Sequence, residues 1–438
     1  MTTLDVLLIA VPSPSPIMYY SNKFFGMPPL GLGYLATVLK KSNYIVDIFD
    51  MCIAHNTIEL LLDVLSRKRA KVIGLSCTSE SYSVALQLAK ITKSIAKDCF
   101  VVMGGPHVSF SYESTLTKDE VDYIVINEGE ISFKNLCDYL LDGKGNLEDI
   151  KGIAYTKGGK VVKNEEQPFI TDLDALPFPD RSLFGDLSMY EVPATIVTSR
   201  GCPGACIFCS AGALSGRSYR MRSAVNIVDE YEYLRELGFK HVRIVDDAMT
   251  ISKRRMYQLA EELNTRKLDM TWQCESRVDG ITKEFLKKMK EAGLVEVQFG
   301  VESGSQRVLD SINKQISLEQ IINAFKWCYE VGIRATTNII IGLPSDDENS
   351  ICDTLRLAER IIEYGGFVTS SVCTPFPGTP LLNDRVKYGI NIIEHDLDLY
   401  TLQNPTFETK FMSMMDIRNA IYTVRKKLIP KVLEQSFR

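Results

Sequence analysis

Twice along this chain, short runs rich in β-branched residues alternate with segments of helical spacing, and that rhythm constrains the fold more than any other feature. In the first half the runs are DVLLIA (5–10), YIVDIF (44–49), VIGLS (72–76), FVVMG (100–104) and VDYIVI (121–126), separated by stretches such as LGLGYLATVLKK, TIELLLDVLSRK and SVALQLAKITKSIA. Strand and helix in this order predict right-handed crossovers and a parallel sheet covered on both faces, a Rossmann-like domain. Residues 143–193 break the rhythm with Gly, Pro and charge, and contain one expected hairpin turning at Lys157-Gly158-Gly159-Lys160. The alternation resumes at ATIVT (194–198), HVRIVD (241–246), TWQC (271–274), VEVQFG (295–300), ATTNIII (335–341) and FVTSSVC (367–373). Helices are expected near 224–237, 253–266, 282–292, 317–331 and 349–364, the fourth opening on the reciprocal capping pair Ser317 and Gln320. Six strands are too few for the eight of a closed (β/α) barrel, so an open, partial barrel is expected. The chain therefore divides into a Rossmann-like domain over 1–142, a linker with a small β element over 143–193, a partial barrel over 194–388, and a helical C-terminal region over 389–438.

Composition narrows the partners. Fifty basic against 55 acidic residues give a formal charge of −5 over 438 residues, with no long basic run, so neither nucleic acid nor an anionic membrane is called for. The start, MTTLDVLLIAVPSPSP, has one short apolar run without a basic n-region, and no later run reaches the roughly 18 apolar residues of a spanning helix. A cytoplasmic protein with no membrane insertion is expected. Most of the 11 cysteines, among them Cys52, Cys99, Cys137, Cys328 and Cys352, stand singly in apolar segments and read as small buried hydrophobes in a reducing compartment.

Three cysteines break that pattern. SRGCPGACIFCSAG (199–212) places Cys202, Cys206 and Cys209 on a glycine- and proline-rich loop at the end of the first strand of the second unit, the edge at which such sheets hold ligands. A structural zinc site would want a fourth Cys or His nearby, and His241, the nearest histidine, opens a distant strand. Three thiolates can instead ligate three irons of a cubane and leave the fourth open to a ligand that is not protein.

Cys202-x3-Cys206-x2-Cys209, with Phe208 before the last cysteine, resembles the radical S-adenosylmethionine (SAM) superfamily. That resemblance implies a partial (β/α)6 barrel, a [4Fe-4S] cluster on these cysteines and SAM on the open iron. Further stretches resemble the family's later motifs: Asp246 and Asp247 after the second strand, Glu275 and Arg277 in CESR after the third, Glu302 and Ser303 in GVESGS after the fourth, and Gly342 in IIIGLP at the fifth. The resemblance implies that the carboxylates bond the amino or ribose groups of SAM, that Arg277 pairs with its carboxylate, and that Gly342 admits the adenine to close backbone approach. Arg220 and Arg222 in RSYRMRS are the alternative cations.

The first domain resembles the cobalamin-binding (B12) domains attached to one branch of that superfamily. Ser76 and Thr78 in VIGLSCTS, and Gly104, Gly105 and Pro106 in VVMGGPHVS, end neighbouring strands, as do the Ser-x-Thr and Gly-Gly elements of those domains. INEGEISF, with Glu128, Gly129 and Glu130, is similar to their Gly-Glu-Gly-Glu element, and PPLGLGYLA (28–36) to their first helix. Two departures stand out. The first loop, VPSPSPIMYYSNKFFGMPP, lacks the Asp-x-His-x-x-Gly motif that supplies a histidine to cobalt, and Asn127 stands where glycine is usual. Either cobalamin binds without that histidine, or the domain is vestigial. His107, next to Gly-Gly-Pro, either lies near the corrin or merely hydrogen-bonds within its loop.

Three functions remain open at this point. The resemblance favours a cobalamin-dependent C-methyltransferase, in which reductive cleavage of SAM yields a 5′-deoxyadenosyl radical that abstracts hydrogen from an unactivated carbon, and methylcobalamin then gives up its methyl group. The same cofactors also serve cyclases and rearrangement enzymes without methyl transfer. A non-catalytic iron-sulfur or cobalamin-sensing protein is the third reading, against which the acidic rim after strands two to four argues. The implied partners are a small-molecule or peptide substrate and an electron donor such as flavodoxin or ferredoxin.

Overall fold

The structure is a computed structural model that describes residues 3–13, 26–53 and 56–436. The chain separates into two compact units, Met1–Thr195 and Ile196–Arg438.

The first unit runs β1 (Val6–Ala10), α1 (Leu30–Lys41), β2 (Val46–Asp50), α2 (Ile58–Lys68), β3 (Val72–Ser76), α3 (Tyr82–Ile95), β4 (Phe100–Gly104), α4 (Pro106–Phe110), α5 (Tyr112–Thr115), β5 (Tyr123–Val125), α6 (Gly129–Asp142), β6 (Ile153–Lys157) and β7 (Lys160–Lys163). Its sheet has the order β2-β1-β3-β4-β5-β6-β7, with β1 to β5 parallel and the last two strands antiparallel. Val6 to Ala10 and Val72 to Leu75 are buried throughout, as strands covered on both faces require. The expected hairpin forms on Gly158 and Gly159, both at positive φ (57° and 76°). Its strands add to the edge of the first sheet, because β6 pairs with β5 over Tyr123 to Val125. The glycine- and proline-rich composition around it made the hairpin look like part of a separate connector.

The second unit opens with β8 (Thr195–Ile196), which begins one residue before the division, and continues through β9 (Ser199–Arg200), α7 (Ala211–Leu214), β10 (Arg220–Met221), α8 (Ala224–Glu236), β11 (His241–Ile244), α9 (Lys253–Arg266), β12 (Thr271–Ser276), α10 (Lys283–Glu291) and β13 (Leu294–Glu302). It ends with α11 (Gln306–Ser311), α12 (Leu318–Val331), β14 (Arg334–Ile341), α13 (Glu348–Glu363), β15 (Phe367–Val372), α14 (Pro380–Asn383), β16 (Asn391–Ile392), β17 (Phe407–Glu408) and α15 (Met414–Ser436). Strands β8, β11, β12, β13, β14 and β15 form one six-stranded sheet in that order. The Ser317 and Gln320 capping box is present in full at the start of α12. Along β11 to β14 alternate residues point to opposite faces. Val242, Ile244, Trp272, Cys274, Val297, Phe299, Ala335 and Ile339 are buried. Their face meets the helices: Phe299 packs edge-on against Phe325 of α12, and Trp272 donates its indole N–H to the carbonyl of Ala292 just past α10. The opposite face carries Arg243, Gln273, Glu275, Gln298, Thr336 and Asn338, all half-buried. It is a polar, accessible surface beneath the strand ends.

Among the described residues no helix is long and apolar enough to cross a membrane. Of the single cysteines, Cys99, Cys137 and Cys328 are buried as expected, whereas Cys52 is half-buried and Cys352 is exposed on α13.

Candidate functional site

The three-cysteine loop follows β9 and is held open by backbone. Gly201 has φ +87°, and a Cβ there would lie 2.3 Å from the carbonyl oxygen of Ser218. Only glycine lets the chain turn into the loop at that point. The N–H of Cys202 donates to the Gly216 carbonyl at 3.1 Å, and that of Cys209 to the Cys206 carbonyl at 3.2 Å. Cys202 and Cys206 are half-buried and Cys209 is exposed. Although Cys209 is exposed as a residue, its sulfur accepts the Ala211 N–H at 3.4 Å, and the packed loop around it pushes the thiol up to about 11. Burial likewise raises the Cys206 thiol, opposed first by the charge of Lys314 and then by that of Arg277.

Among the described residues no three His, Cys, Asp or Glu side chains converge closely enough for a single ion. A cubane, by contrast, takes its ligand sulfurs at separate corners. Three thiols without a fourth ligand, on a loop beside two cations, fit a cluster that carries thiolate charge and keeps one iron open.

The cations lie just past β12 and in the turn between α11 and α12. Arg277, one residue past β12, is fixed by its Nε on Asp279 at 2.7 Å and its Nη2 on the Lys314 carbonyl at 2.8 Å. That leaves its Nη1 toward Gly204 of the cysteine loop, 3.8 Å from the position a Cβ would take, while the Cys202 sulfur lies 3.3 Å from the same point. The two residues before Lys314 grip the loop directly. The Ile207 N–H donates to the Ile312 carbonyl at 3.1 Å, and Asn313 donates its amide to the Ala205 carbonyl at 3.1 Å. The signal available in the sequence was the run Ile312-Asn313-Lys314-Gln315, a polar turn two residues before a helix cap.

Several residues expected to contact SAM are engaged by other parts of the protein. Asp246 is 2 % exposed. It accepts the Thr198 N–H at 2.6 Å and the hydroxyls of Thr198 and Ser199 at 2.5 Å each, with Arg255 at 3.6 Å. A carboxylate so saturated ties the first strand to the second and has nothing left for a ligand. Asp247, beside it, is exposed as a residue, yet the protein packed around its carboxyl, and then the charges of Asp246 and Glu275, raise its pKa. Ser303 is 1 % exposed, its hydroxyl lying 3.3 Å from that of Thr354 and accepting the Ser305 N–H at 3.2 Å, so it shapes the turn into α11. Arg222 is consumed by Glu230 at 2.5 Å and by the Val197 carbonyl. Arg220 is buried, with its Nη2 on the Ser215 carbonyl at 2.6 Å. At Gly342, with φ +87°, the close approach is made by Ile417 of α15, whose Cγ2 would lie 2.9 Å from a Cβ. That contact comes from a region without a sequence motif.

Glu275 and Phe208 stay half-buried, whereas Glu302 is buried. Glu275 lies on the polar face of β12, bonded to Arg243 at 3.2 Å. Phe208 is half-buried between Cys206 and Cys209. Glu302 ends β13 at φ +67°, beside a bulge in the pairing with β14, and its Oε1 meets the Lys314 ammonium at 2.6 Å.

In the first unit, Ser76 and Gly104 end adjacent strands in register, at the side of the sheet where the strand order reverses between β1 and β3. Gly105 has φ +100°, and a Cβ there would sit 2.6 Å from the Cys77 carbonyl oxygen and 3.2 Å from the Ser76 hydroxyl. Thr78 and Pro106 are exposed beside it. This edge is poor in side chains and suits a flat ligand. The loop lacking the cobalt-histidine motif lies largely outside the described residues, at 14–25.

His107 is not on that edge. It is 3 % exposed, its Nδ1 lies 2.9 Å from the Ser79 hydroxyl, and its ring stacks on Tyr82 with centroids 4.1 Å apart. Burial lowers its pKa to about 4. A side chain enclosed in this way cannot reach a ligand, so it belongs to the core. In the Gly-Glu-Gly-Glu-like element, Asn127 adopts φ +61°, the conformation asparagine tolerates best after glycine. Glu128 accepts the Ile170 N–H at 2.9 Å, Gly129 lets Leu35 of α1 approach within 3.1 Å of its Cβ position, and Glu130 is buried. Glu128 and Gly129, both half-buried, join α6 to its neighbours.

Comparison with known proteins agrees with both units. Residues 196–358 match the radical SAM superfamily and residues 24–137 the B12-binding domain. The chain is 32% identical to an uncharacterized methyltransferase of Pyrococcus horikoshii over 99% of its length and 94% of that protein's. It is 27% identical to the anaerobic magnesium-protoporphyrin IX monomethyl ester cyclase of Cereibacter sphaeroides over 90% of its own length and 66% of the cyclase's. The fold is shared with the radical SAM methyltransferase TsrM of Kitasatospora setae, solved with cobalamin and a [4Fe-4S] cluster bound, at a TM-score of 0.72, 16% identity, and coverage of 90% of this chain and 78% of TsrM. With its three-thiol loop on a parallel β/α sheet and a glycine-edged sheet before it, the chain belongs to the cobalamin-binding radical SAM enzymes, whose cofactors are a [4Fe-4S] cluster, SAM and cobalamin.

Proposed function

We propose that this enzyme is a C-methyltransferase that moves a methyl group to an unactivated carbon of a small-molecule or peptide substrate. The observation that carries the reading is the loop of Cys202, Cys206 and Cys209, which offers three thiols and no fourth ligand beside the cations of Lys314 and Arg277. When bound, the cluster and SAM supply a hydrogen-abstracting radical and cobalamin a transferable methyl group, the hard chemistry that the protein itself lacks.

The chain's own residues bind and orient. The three cysteines hold the cluster, and Arg277, fixed by Asp279, presents Nη1 to the carboxylate of SAM. Glu275, on the half-buried polar face of β12, stands for its amino or ribose groups. Ser76, Thr78, Gly104, Gly105 and Pro106 form the cobalamin edge. The half-buried polar face of Arg243, Gln273, Gln298, Thr336 and Asn338 would receive a substrate with hydrogen-bonding groups. An external one-electron donor of the flavodoxin or ferredoxin class, in a reducing cytoplasm, suits the free thiols.

The cyclase relative keeps a second reading alive, in which the same cofactors close a ring without methyl transfer. Iron and cobalt per chain come first, after anaerobic reconstitution with iron, sulfide and hydroxocobalamin. About four irons and about one cobalt are expected. SAM products then separate the readings. Methyl transfer forms S-adenosylhomocysteine beside 5′-deoxyadenosine and methionine, whereas cyclisation forms only the latter two. Protein with a full cobalt load that never forms S-adenosylhomocysteine would sink the methyltransferase reading.

A further inference from the structure

Lys314 is a buried lysine for which the SAM-binding scheme above has no use. Its side chain is 8 % exposed and that of its partner Glu302 is 10 % exposed, with 2.6 Å between Nζ and Oε1. The local backbone is bent to seat this pair. Glu302 takes φ +67°, and the two residues flanking the lysine, Asn313 and Gln315, take φ +56° and +55°. Non-glycine residues avoid that region, and clusters of them mark sites where surrounding structure enforces a geometry. Gly300 borders the seat: a Cβ there would lie 2.7 Å from the Lys314 Nζ and 2.8 Å from the Glu302 Oε1, so a larger residue would displace the ends of the pair.

The segment that carries Lys314 is also the one that clamps the cysteine loop. Ile312 and Asn313 bond the backbone on either side of Cys206, at Ile207 and Ala205. The lysine is therefore the next residue in a strap already fastened to the Cys206 turn. Lys314 and Arg277 both bring their charge to the cysteine loop, the Lys314 carbonyl accepting from the Arg277 guanidinium and the adjacent Asn313 bonding the Ala205 carbonyl. Arg277 is the weaker source of field, because its guanidinium is more exposed, at 19 %, and sits on Asp279.

We infer that Lys314 sets the reduction potential of the cluster: its enclosed ammonium, seated by Glu302 and strapped to the Cys206 turn, stabilises the negative charge added on one-electron reduction. The inference rests on the cluster being held by the three cysteines and on nothing about methyl transfer. Lys314 here acts on the cluster through its charge and is not a catalytic residue. Glu302 opposes it, so the two residues must push the potential in opposite directions. Two members of a merely structural ion pair would move it the same way or not at all.

The test is an EPR-monitored redox titration with dithionite of the reconstituted full-length enzyme without SAM, with iron measured on each sample. Lys314→Met should lower the reduced-to-oxidised ratio at fixed potential about tenfold, a fall of about 59 mV for one electron. Lys314→Arg, which keeps the charge, should stay within about twofold of the parent. Glu302→Gln should shift the ratio the other way. If Lys314→Met cannot hold iron, the direction of the Glu302→Gln shift decides. Loaded variants within twofold of the parent, or both shifted downward, overturn the inference. If the parent itself takes up no iron, the cluster assignment has failed before the lysine is tested.

Discussion

Replacing Asp246 by alanine separates a ligand contact from a structural tie. In the structure its carboxylate receives three hydrogen bonds of 2.5 to 2.6 Å from Thr198 and Ser199 and lies 3.6 Å from Arg255. All of them connect the end of β11 to the strand that leads into the cysteine loop. Alanine would orphan the Thr198 N–H outright, while the two hydroxyls can rotate to other acceptors. It would also leave Arg255, 3 % exposed, without its carboxylate, although Arg255 still bonds the Thr198 and Met249 carbonyls. A buried donor left unmade costs about 1–3 kcal/mol and breaking a buried charge pair about 3–5 kcal/mol; because Arg255 stands 3.6 Å away and keeps two carbonyls, the lower ends apply and a total of about 4 kcal/mol is expected. In a unit spanning Ile196–Arg438, each kcal/mol moves the melting temperature by about 2–4 °C, which predicts a fall of roughly 10 °C. Asp246→Asn keeps one acceptor and should lose about half as much. The assay is thermal unfolding of the cluster-free protein, paired with SAM binding to the fraction that reconstitutes. A stable Asp246→Ala variant that loses SAM affinity tenfold would refute the reasoning and return Asp246 to the ligand site.

Three further substitutions follow from the same geometry. Gly105→Ala places a Cβ 2.6 Å from backbone at φ +100°, which no rotamer relieves; a loss of at least about 2 kcal/mol in urea unfolding is expected, together with a lower cobalt load after reconstitution. Gly342→Ala should cost about 1–2 kcal/mol for its positive φ plus the clash with Ile417, and Ile417→Ala in the same chain should recover the steric part. If the double variant is no more stable than Gly342→Ala alone, the packing of α15 on β14 is not what the glycine serves. His107 is held neutral with its pKa near 4, below the ordinary value near 6.5. The unfolded chain therefore binds the extra proton first, and the stability this histidine contributes is complete above pH 6.5 and is lost as pH falls toward 4. About 3 kcal/mol is at stake over that window, and denaturant titrations at pH 7 and pH 4.5 should show a smaller loss in His107→Asn than in the parent.

The strand and helix rhythm was legible because buried parallel strands and amphipathic helices each have their own periodicity, so β3, β4, α9 and the α12 capping box lie where the spacing places them. The cysteine loop was legible too, since three thiols within eight positions have few uses and a glycine at Gly201 marks the turn. Direction of side chains was not. Asp246 and Asp247 are neighbours in sequence, yet one is 2 % exposed and the other is exposed, because adjacent residues at a strand end point to opposite faces. His107 follows two glycines at the proposed ligand edge but turns inward onto Tyr82 and Ser79.

The amino-acid sequence by itself determined the two β/α units, the three-thiol loop and the glycine-bearing edge, because these depend on periodicity and short-range spacing. Tertiary structure alone decided which rim residues remain available to a ligand, that Ile417 covers Gly342, and that Lys314 and Glu302 form a buried pair beside the Cys206 turn. Those contacts join segments distant in sequence, and they depend on how each strand end is filled by what folds over it, which no local pattern encodes.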